Sequence, residues 1–235
     1  VGRRLSKKLN SFGINNAYEL SIQSDAWIRK SMSVVGLKTA EELRGKSCIK
    51  LNKSPSAKKM ITVSRSFGKK IFEKESVKEA LANFTERAGE KLRKEKQLTK
   101  GAYISLYRHL AATGIKNYKD TAFIEFNYPT DSTLDLMRHA IKAFDNIYLE
   151  NEGYKKCSIT LFQMTPKSKF VKDFFDERDT VKHDLIMQTI DSINKKIGSN
   201  TIQIATSNGN GAWIAKKDLK SLCYTTRWNE LPTVS

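Results

Sequence analysis

The sequence predicts an α+β chain in three parts. A small helical unit, similar to a helix-hairpin-helix cut just inside its hairpin, comes first. A β-α-β-β-α-β domain follows, with two helices on one face of a four-stranded antiparallel sheet, and a small α+β unit ends the chain. Three observations carry this reading. Apolar residues recur at helical spacing in short runs over residues 1–46. Period-2 and period-3.6 patterns then alternate from 60 to 165. Between them, residues 47–59 hold Lys50, Lys53, Lys58 and Lys59 around Ser54-Pro55-Ser56, with almost no large apolar residue after Leu51, which reads as an extended basic linker and a domain boundary.

In the first unit, Leu5, Leu9 and Phe12 form one helical stripe beside a basic one of Arg3, Arg4, Lys7 and Lys8. Gly2 stands at the helix entry, where the missing Cβ lets backbone N–H groups approach a phosphate. The alternative is a solvated basic face on an ordinary amphipathic helix. Gly13-Ile14 closes the turn, residues 17–20 begin a short helix, and Trp27, Ile28 and Met32 are spaced as the buried face of another. Over 34–45, Thr39 and Glu42 have capping-box spacing and Gly45 reads as a C-cap.

In the second part, Ile61, Val63, Arg65 and Phe67 alternate with Thr62, Ser64 and Ser66, giving a strand with one apolar and one hydroxyl-rich face. Ser76 to about Gln97 is a helix with a second capping box, Ser76/Glu79, and the core stripe Val77, Leu81, Phe84, Ala88, Leu92. Runs 102–110 and 121–128 are strands, separated by a polar turn at 114–119. Ser132 to about Leu149 is a helix with Leu134, Met137, Ile141, Phe144 and Tyr148 inward, and 154–164 is the fourth strand.

Two helices on one face leave the other face of the sheet wet or occupied. The first strand offers it Ser64-Arg65-Ser66-Phe67-Gly68-Lys69-Lys70, hydroxyls flanked by cations, suited to phosphates and not to base edges. An RNA-recognition sheet would need stacking aromatics there; Phe67, Tyr103 and Tyr107 are the candidates, without an RNP-like run. Residues 166–180 read as a charged linker around Phe170-Val171-Lys172-Asp173-Phe174-Phe175-Asp176, an apolar-aromatic stretch suited to a partner's pocket or, equally, to packing back on its own domain. The tail, 181–235, has a helix to about Ile197 with Leu185, Ile186, Thr189, Ile190, Ile193 and Ile197 inward. A strand at 201–205, a turn at 208–211 and a return strand at 213–215 follow.

The charge is +17 overall, and residues 1–100 hold 24 Lys/Arg against 10 Asp/Glu. So lopsided a field points to a polyanion, with nucleic acid favoured over a membrane, since no long apolar run is present. Cys48, Cys157 and Cys223, with His109, His139 and His183, form no metal-ligand spacing; free thiols and a cytoplasmic setting are expected. Without an initiator Met and opening in mid-motif, the chain reads as a fragment of a longer protein.

Residues 1–13, 34–45, 61–70 and 224–231 together resemble the C-terminal part of UmuC-type Y-family translesion DNA polymerases, the catalytic subunits of DNA polymerase V. The resemblance implies a thumb at 1–46, a linker at 47–59, a little finger at 60–165, a second linker at 166–180 and the subfamily's own C-terminal domain at 181–235. It implies phosphate contacts to primer–template duplex DNA by Gly2, Arg3, Arg4, Lys7 and Lys8 in the thumb, and by Ser64, Arg65, Ser66, Lys69 and Lys70 in the little finger. It also implies a role in SOS mutagenesis, with a processed UmuD-type dimer, RecA and a sliding clamp as partners. The clamp peptide of the family usually begins with Gln, which is missing before Phe174 and Phe175. The palm carboxylates, which would hold Mg and deoxynucleoside triphosphates, fall outside this chain, so no catalytic residue, metal or cofactor is expected in it and no polymerase activity from it alone. A protein-interaction scaffold with little DNA affinity is the alternative.

Overall fold

The computed structural model describes residues 1–49, 51, 56–108, 118–173, 175, 176, 178–207, 211–214 and 220–232. The chain divides into two compact units, Val1–Ser56 and Ala57–Ser235.

The first unit has three helices, α1 (Arg3–Ser11), α2 (Ala17–Ser21) and α3 (Asp25–Leu43). Its core is small: Leu9, Ile14, Leu20, Ile28, Met32 and Ala40. Gly13 takes φ +77°, the left-handed turn after α1, and Ile14 N–H donates to the Leu9 carbonyl. A capping box does occur here, but at Asn16/Glu19. Asn16 Oδ1 accepts from Glu19 N–H at 2.9 Å, and the Glu19 carboxylate accepts from Asn16 Nδ2 and Asn15 N–H. The Thr39/Glu42 box is not formed. Thr39 lies inside α3 and donates back to the Val35 carbonyl, and Glu42 accepts from Ile49 N–H. The helix needs no cap at Thr39 because it already runs there: Ser33, at φ 76° and ψ −179°, breaks α3 into two pieces. At the far end Gly45 N–H and Lys46 N–H reach the carbonyls of Glu42 and Glu41, a Schellman close at a φ of +86°. Arg44 then forks to the carbonyls of Ser21 and Gln23 and to Asp25 Oδ1, tying the end of α3 to its beginning.

The second unit contains β1 (Ile61–Ile71), α4 (Lys74–Lys94), β2 (Gln97–Arg108), β3 (Tyr118–Thr130), α5 (Thr133–Ile147), β4 (Tyr154–Pro166) and α6 (Thr180–Ile197). The sheet order is β1-β4-β2-β3, antiparallel throughout. Each β-α-β pair is split by a strand of the other, so β4 and β2 lie central and β1 and β3 are edges. Helices α4 and α5 cover one face. Val77, Leu81, Phe84, Ala88, Leu92, Leu136, Ala140 and Phe144 meet Ala102, Ile104, Leu106, Ile159 and Leu161 there. Leu134, expected inward, is exposed, and Leu136 is buried instead, alongside the expected Met137 and Phe144.

α4 starts two residues earlier than expected, and the Ser76/Glu79 box is absent. Ser76 Oγ donates to the Glu73 carboxylate, and Glu79 faces the C-terminal segment. That segment is not a hairpin among the described residues. Residues 201–204 carry no strand, Ala205–Ser207 is a single 3-10 turn and Trp213 lies in a turn. It lies along α4, where Glu79, Asn83 and Glu86 stand at i, i+4 and i+7 on one helix face. Glu86 Oε1 accepts from Ile204 N–H (2.6 Å) and Ser207 Oγ (2.8 Å), and Asn83 Nδ2 donates to the Ser207 carbonyl. Glu79 Oε1 accepts from Gly211 N–H and Trp213 Nε1, whose ring sits edge-on to Phe84 at 5.3 Å. Carboxylates on a helix thus replace the partner strand that the alternation in sequence seemed to require.

α6 meets its expected inward face only in part. Ile190 and Ile193 are half-buried, but Met187 is its buried residue, with Asp184 and Asp191 half-buried, while Val181, Leu185, Ile186 and Ile197 are exposed. Arg93 fixes this by holding Asp191 through two bonds of 2.6 and 2.8 Å while also donating to Thr133 Oγ1 and the Asp131 carbonyl. Lys167 adds a bridge between Asp131 and Asp184.

Candidate nucleic-acid interface

Each unit presents one surface with the chemistry of a polyanion site. In the first, Gly2 is the N-cap of α1 with extended backbone and nothing near the position of a Cβ. The first intrahelical bond runs from Ser6 N–H to the Gly2 carbonyl, so the three preceding N–H groups have no helical acceptor. No acidic residue stands in that first turn, and Arg3, Arg4 and Lys7 are exposed around it. Lys8 is different: its Nζ donates to the Ser31 carbonyl at 2.7 Å, bracing α1 against the α3 break.

In the second unit the open sheet face is a grid set by strand register. One row across β1, β4, β2 and β3 reads Ser66, Lys156, Tyr107, Lys119. The next is all hydroxyl: Ser64, Ser158, Ser105, Thr121. The third is Thr62, Thr160, Tyr103, Phe123, and beyond it Phe162, Gly101 and Glu125 align on β4, β2 and β3. The hydroxyls bond to one another, Thr62 with Thr160 at 2.9 Å and Ser105 with Thr121 at 3.1 Å, which keeps a polar surface satisfied without ions.

Of the β1 residues singled out in sequence, Ser64 and Ser66 lie on this face. Arg65 does not: it pairs with Cys157, whose thiol is buried under the helices, so Arg65 emerges at the exposed edge. Lys69 and Lys70 are exposed beyond the register break that separates the Ser66 and Ile71 pairs. Phe67, weighed as a stacking residue, is 8% exposed in the core. Tyr103 and Tyr107 are on the open face, and sequence reasoning missed their neighbours Phe123, Phe162, Lys119 and Lys156. The i, i+2 alternation of β3 and β4, Lys119-Thr121-Phe123 and Lys156-Ser158-Thr160-Phe162, holds that signal once the register is known.

Phe175 and Arg178 reach the end of β3. Tyr128 Oη donates to the Phe175 carbonyl at 2.8 Å while the Phe175 side chain is 83% exposed. Arg178 grips Asp176 through Nε and Nη2, holding its carboxyl down to about 2, and lies over the Tyr128 ring at 5.1 Å. Phe174 lies outside the described residues. Among those residues no group of three or more His, Cys, Asp or Glu is placed to hold a metal, and no helix is long and apolar enough to cross a membrane.

Residues 58–173 match the impB/mucB/samB family C-terminal domain, and 184–234 match a domain of unknown function, DUF4113. The chain is 34% identical over 235 residues to Protein ImpB and 33% identical over 234 residues to Protein UmuC, both of Salmonella typhimurium. These alignments cover 99% and 98% of this chain, which spans about half, 55%, of the length of each relative. DNA polymerase IV of Clostridium acetobutylicum is 21% identical over 202 residues, 86% of the chain and 49% of that protein. With a four-stranded antiparallel sheet under two helices at 61–166 and this similarity across nearly its whole length, the chain belongs to the impB/mucB/samB family and corresponds to its C-terminal part.

Proposed function

We propose that this chain is the DNA-holding, partner-docking portion of an error-prone translesion DNA polymerase, gripping primer–template phosphates without sequence preference. The observation that carries it is the open sheet face: Ser66, Lys156 and Lys119 stand in one row, and Ser64 and Thr121 flank the next, whose central Ser158 and Ser105 are buried. Phosphate oxygens are met by such groups without reading a base. Arg3, Arg4 and Lys7 at the N-terminus of α1 would make a second contact, the helix dipole and free N–H groups adding to their charge. The proposed little finger is 60–165, and the proposed thumb is 1–46. Lys8 has a structural part, and Arg65, Lys69 and Lys70 would meet DNA from the β1 edge and not from the face.

Anisotropy titrations of labelled primer–template duplex at several salt concentrations test this. With roughly five phosphates neutralised, log affinity falls against log salt with a slope of about −4 to −5. A slope near zero would sink the reading. Charge reversal at Arg3 and Arg4 is expected to weaken all duplex sequences alike.

A scaffold function has its own observation, the outward apolar residues Val181, Leu185, Ile186 and Ile197 on α6. A processed UmuD-type dimer or a RecA filament would dock there, and a sliding clamp at Phe174 and Phe175. An unchanged clamp titration on replacing both Phe by Ala would remove the clamp from this list.

A further inference from the structure

We propose that unpaired nucleotides of single-stranded DNA stack on the aromatic half of the open sheet face, on Tyr103, Phe123, Phe162 and Tyr107. This goes beyond duplex phosphate contact and does not depend on it. The face is divided. Toward β1 it carries Thr62, Ser64 and Ser66; toward β2 and β3 it carries rings. Tyr103 is the hub, 5.7 Å from Phe123 and 5.9 Å from Phe162 between ring centroids. Phe123 is 77% exposed, on the side of the sheet that neither α4 nor α5 covers. Gly101 makes room for this cluster: a Cβ there would lie 2.6 Å from Phe162 Cζ, so the ring lies over bare backbone.

Cations are interleaved with the rings. Lys119 Nζ lies 5.5 Å from the Tyr103 centroid and 5.9 Å from that of Tyr107, and Lys156 Nζ lies 4.9 Å from Tyr107. A base placed on Tyr107 would displace an ammonium onto the adjoining phosphate, trading a cation–π contact for stacking plus an ion pair. The one carboxylate on this part of the grid, Glu125, stands at its far end beside Gly101. The adjacent hydroxyls of Ser105 and Thr121 are bonded to each other and offer no fork of donors for a base edge. Rings for any base, cations for the backbone and no base-edge code are the chemistry of sequence-tolerant single-strand binding. A duplex keeps its bases stacked and cannot use the rings.

The test uses the whole chain with fluorescein-labelled oligo(dT), hairpin duplex DNA and oligo(U) at one low salt concentration. The pair Tyr103→Leu and Phe123→Leu keeps apolar cover but removes the π-faces. It is expected to lose about tenfold or more in oligo(dT) affinity, the loss of even one stacked base, with duplex affinity changed less than about twofold. Unchanged oligo(dT) affinity in the Leu pair overturns the proposal, as does an equal loss on both DNAs, or binding of oligo(U) alone. Weak duplex binding by the unsubstituted chain would instead count against the duplex-gripping function and leave the Leu comparison decisive for the platform.

Discussion

Glu86 shows how much one oxygen can organise. Burial pushes its carboxyl above the ordinary range, and the bonds from Ile204 N–H and Ser207 Oγ pull part of that back. A carboxyl raised on folding holds a proton that the unfolded chain has already released. Its contribution to stability therefore falls as pH rises from the unfolded value, about 4.3, through the raised one, and the cost is fully present above it. Glu86→Gln retains Oε1 for both donors and does not ionise. Its urea midpoint at neutral pH is expected to match or exceed that of the parent, and to vary less with pH in mild acid. Glu86→Ala strands both donors and is expected to lose about 1–3 kcal/mol. If Gln costs as much as Ala, the charge itself holds the segment. Asp176 has the opposite sign. Held down to about 2 by Arg178, it adds stability that is present above about pH 3.9 and is lost as pH falls through about 2. Asp176→Asn is expected to be less stable than the parent at neutral pH, the two urea midpoints converging below about pH 2.

Among the elements, the helices that pack on the sheet were legible because burial alone sets their faces. The stripe Val77, Leu81, Phe84, Ala88, Leu92 is buried as its spacing requires. α6 was legible only in part, because ion pairs 98 residues apart in sequence, such as Arg93 with Asp191, help decide which side turns inward. Both expected capping boxes failed for a related reason. A Ser/Thr-x-x-Glu spacing says nothing about where the helix begins when an earlier residue starts it. Glu79 was read as a local cap and is a long-range acceptor. The grid on the open face was half legible: the alternation was visible, but which Lys stands beside which Tyr depends on a register fixed by all four strands. Close packing of α4 on α5 gives a prediction at this scale. A Cβ on Gly89 would lie 2.6 Å from Thr133 Oγ1 and 3.2 Å from Arg93 Nη1. Gly89→Ala should raise helix propensity by about 1 kcal/mol. It should nevertheless destabilise the chain in urea melts, by about 1–3 kcal/mol of overpacking, because the Arg93 hub loses its seat. A stabilised variant would show that the α4–α5 contact yields.

For the molecule as a whole, the two units differ in what holds them. The first rests on six buried apolar residues and on local devices: the Asn16/Glu19 box, the Gly45 close and the Arg44 fork. The second has a continuous core from β1 through α4, α5 and β4, and its C-terminal segment is tied to α4 by side-chain bonds. A unit of under sixty residues with so small a core is marginal by itself, since its surface is large for its volume. Unfolding is therefore expected in two steps and not one. Trp27 reports on the first unit, half-buried and edge-on to Phe12 at 5.4 Å; Trp213 reports on the second, against Phe84. With Trp228, 90% exposed, replaced by Phe to silence it, the Trp213→Phe chain, which keeps only Trp27, should lose its native fluorescence at lower urea than the Trp27→Phe chain, which keeps only Trp213. Adding duplex DNA should raise the Trp27 midpoint if Arg3 and Arg4 hold phosphate, because a ligand bound only by the folded state stabilises that state by mass action. Coincident midpoints for the two reporters would mean that the units unfold as one, and the local devices of the first would then be insufficient to explain its fold.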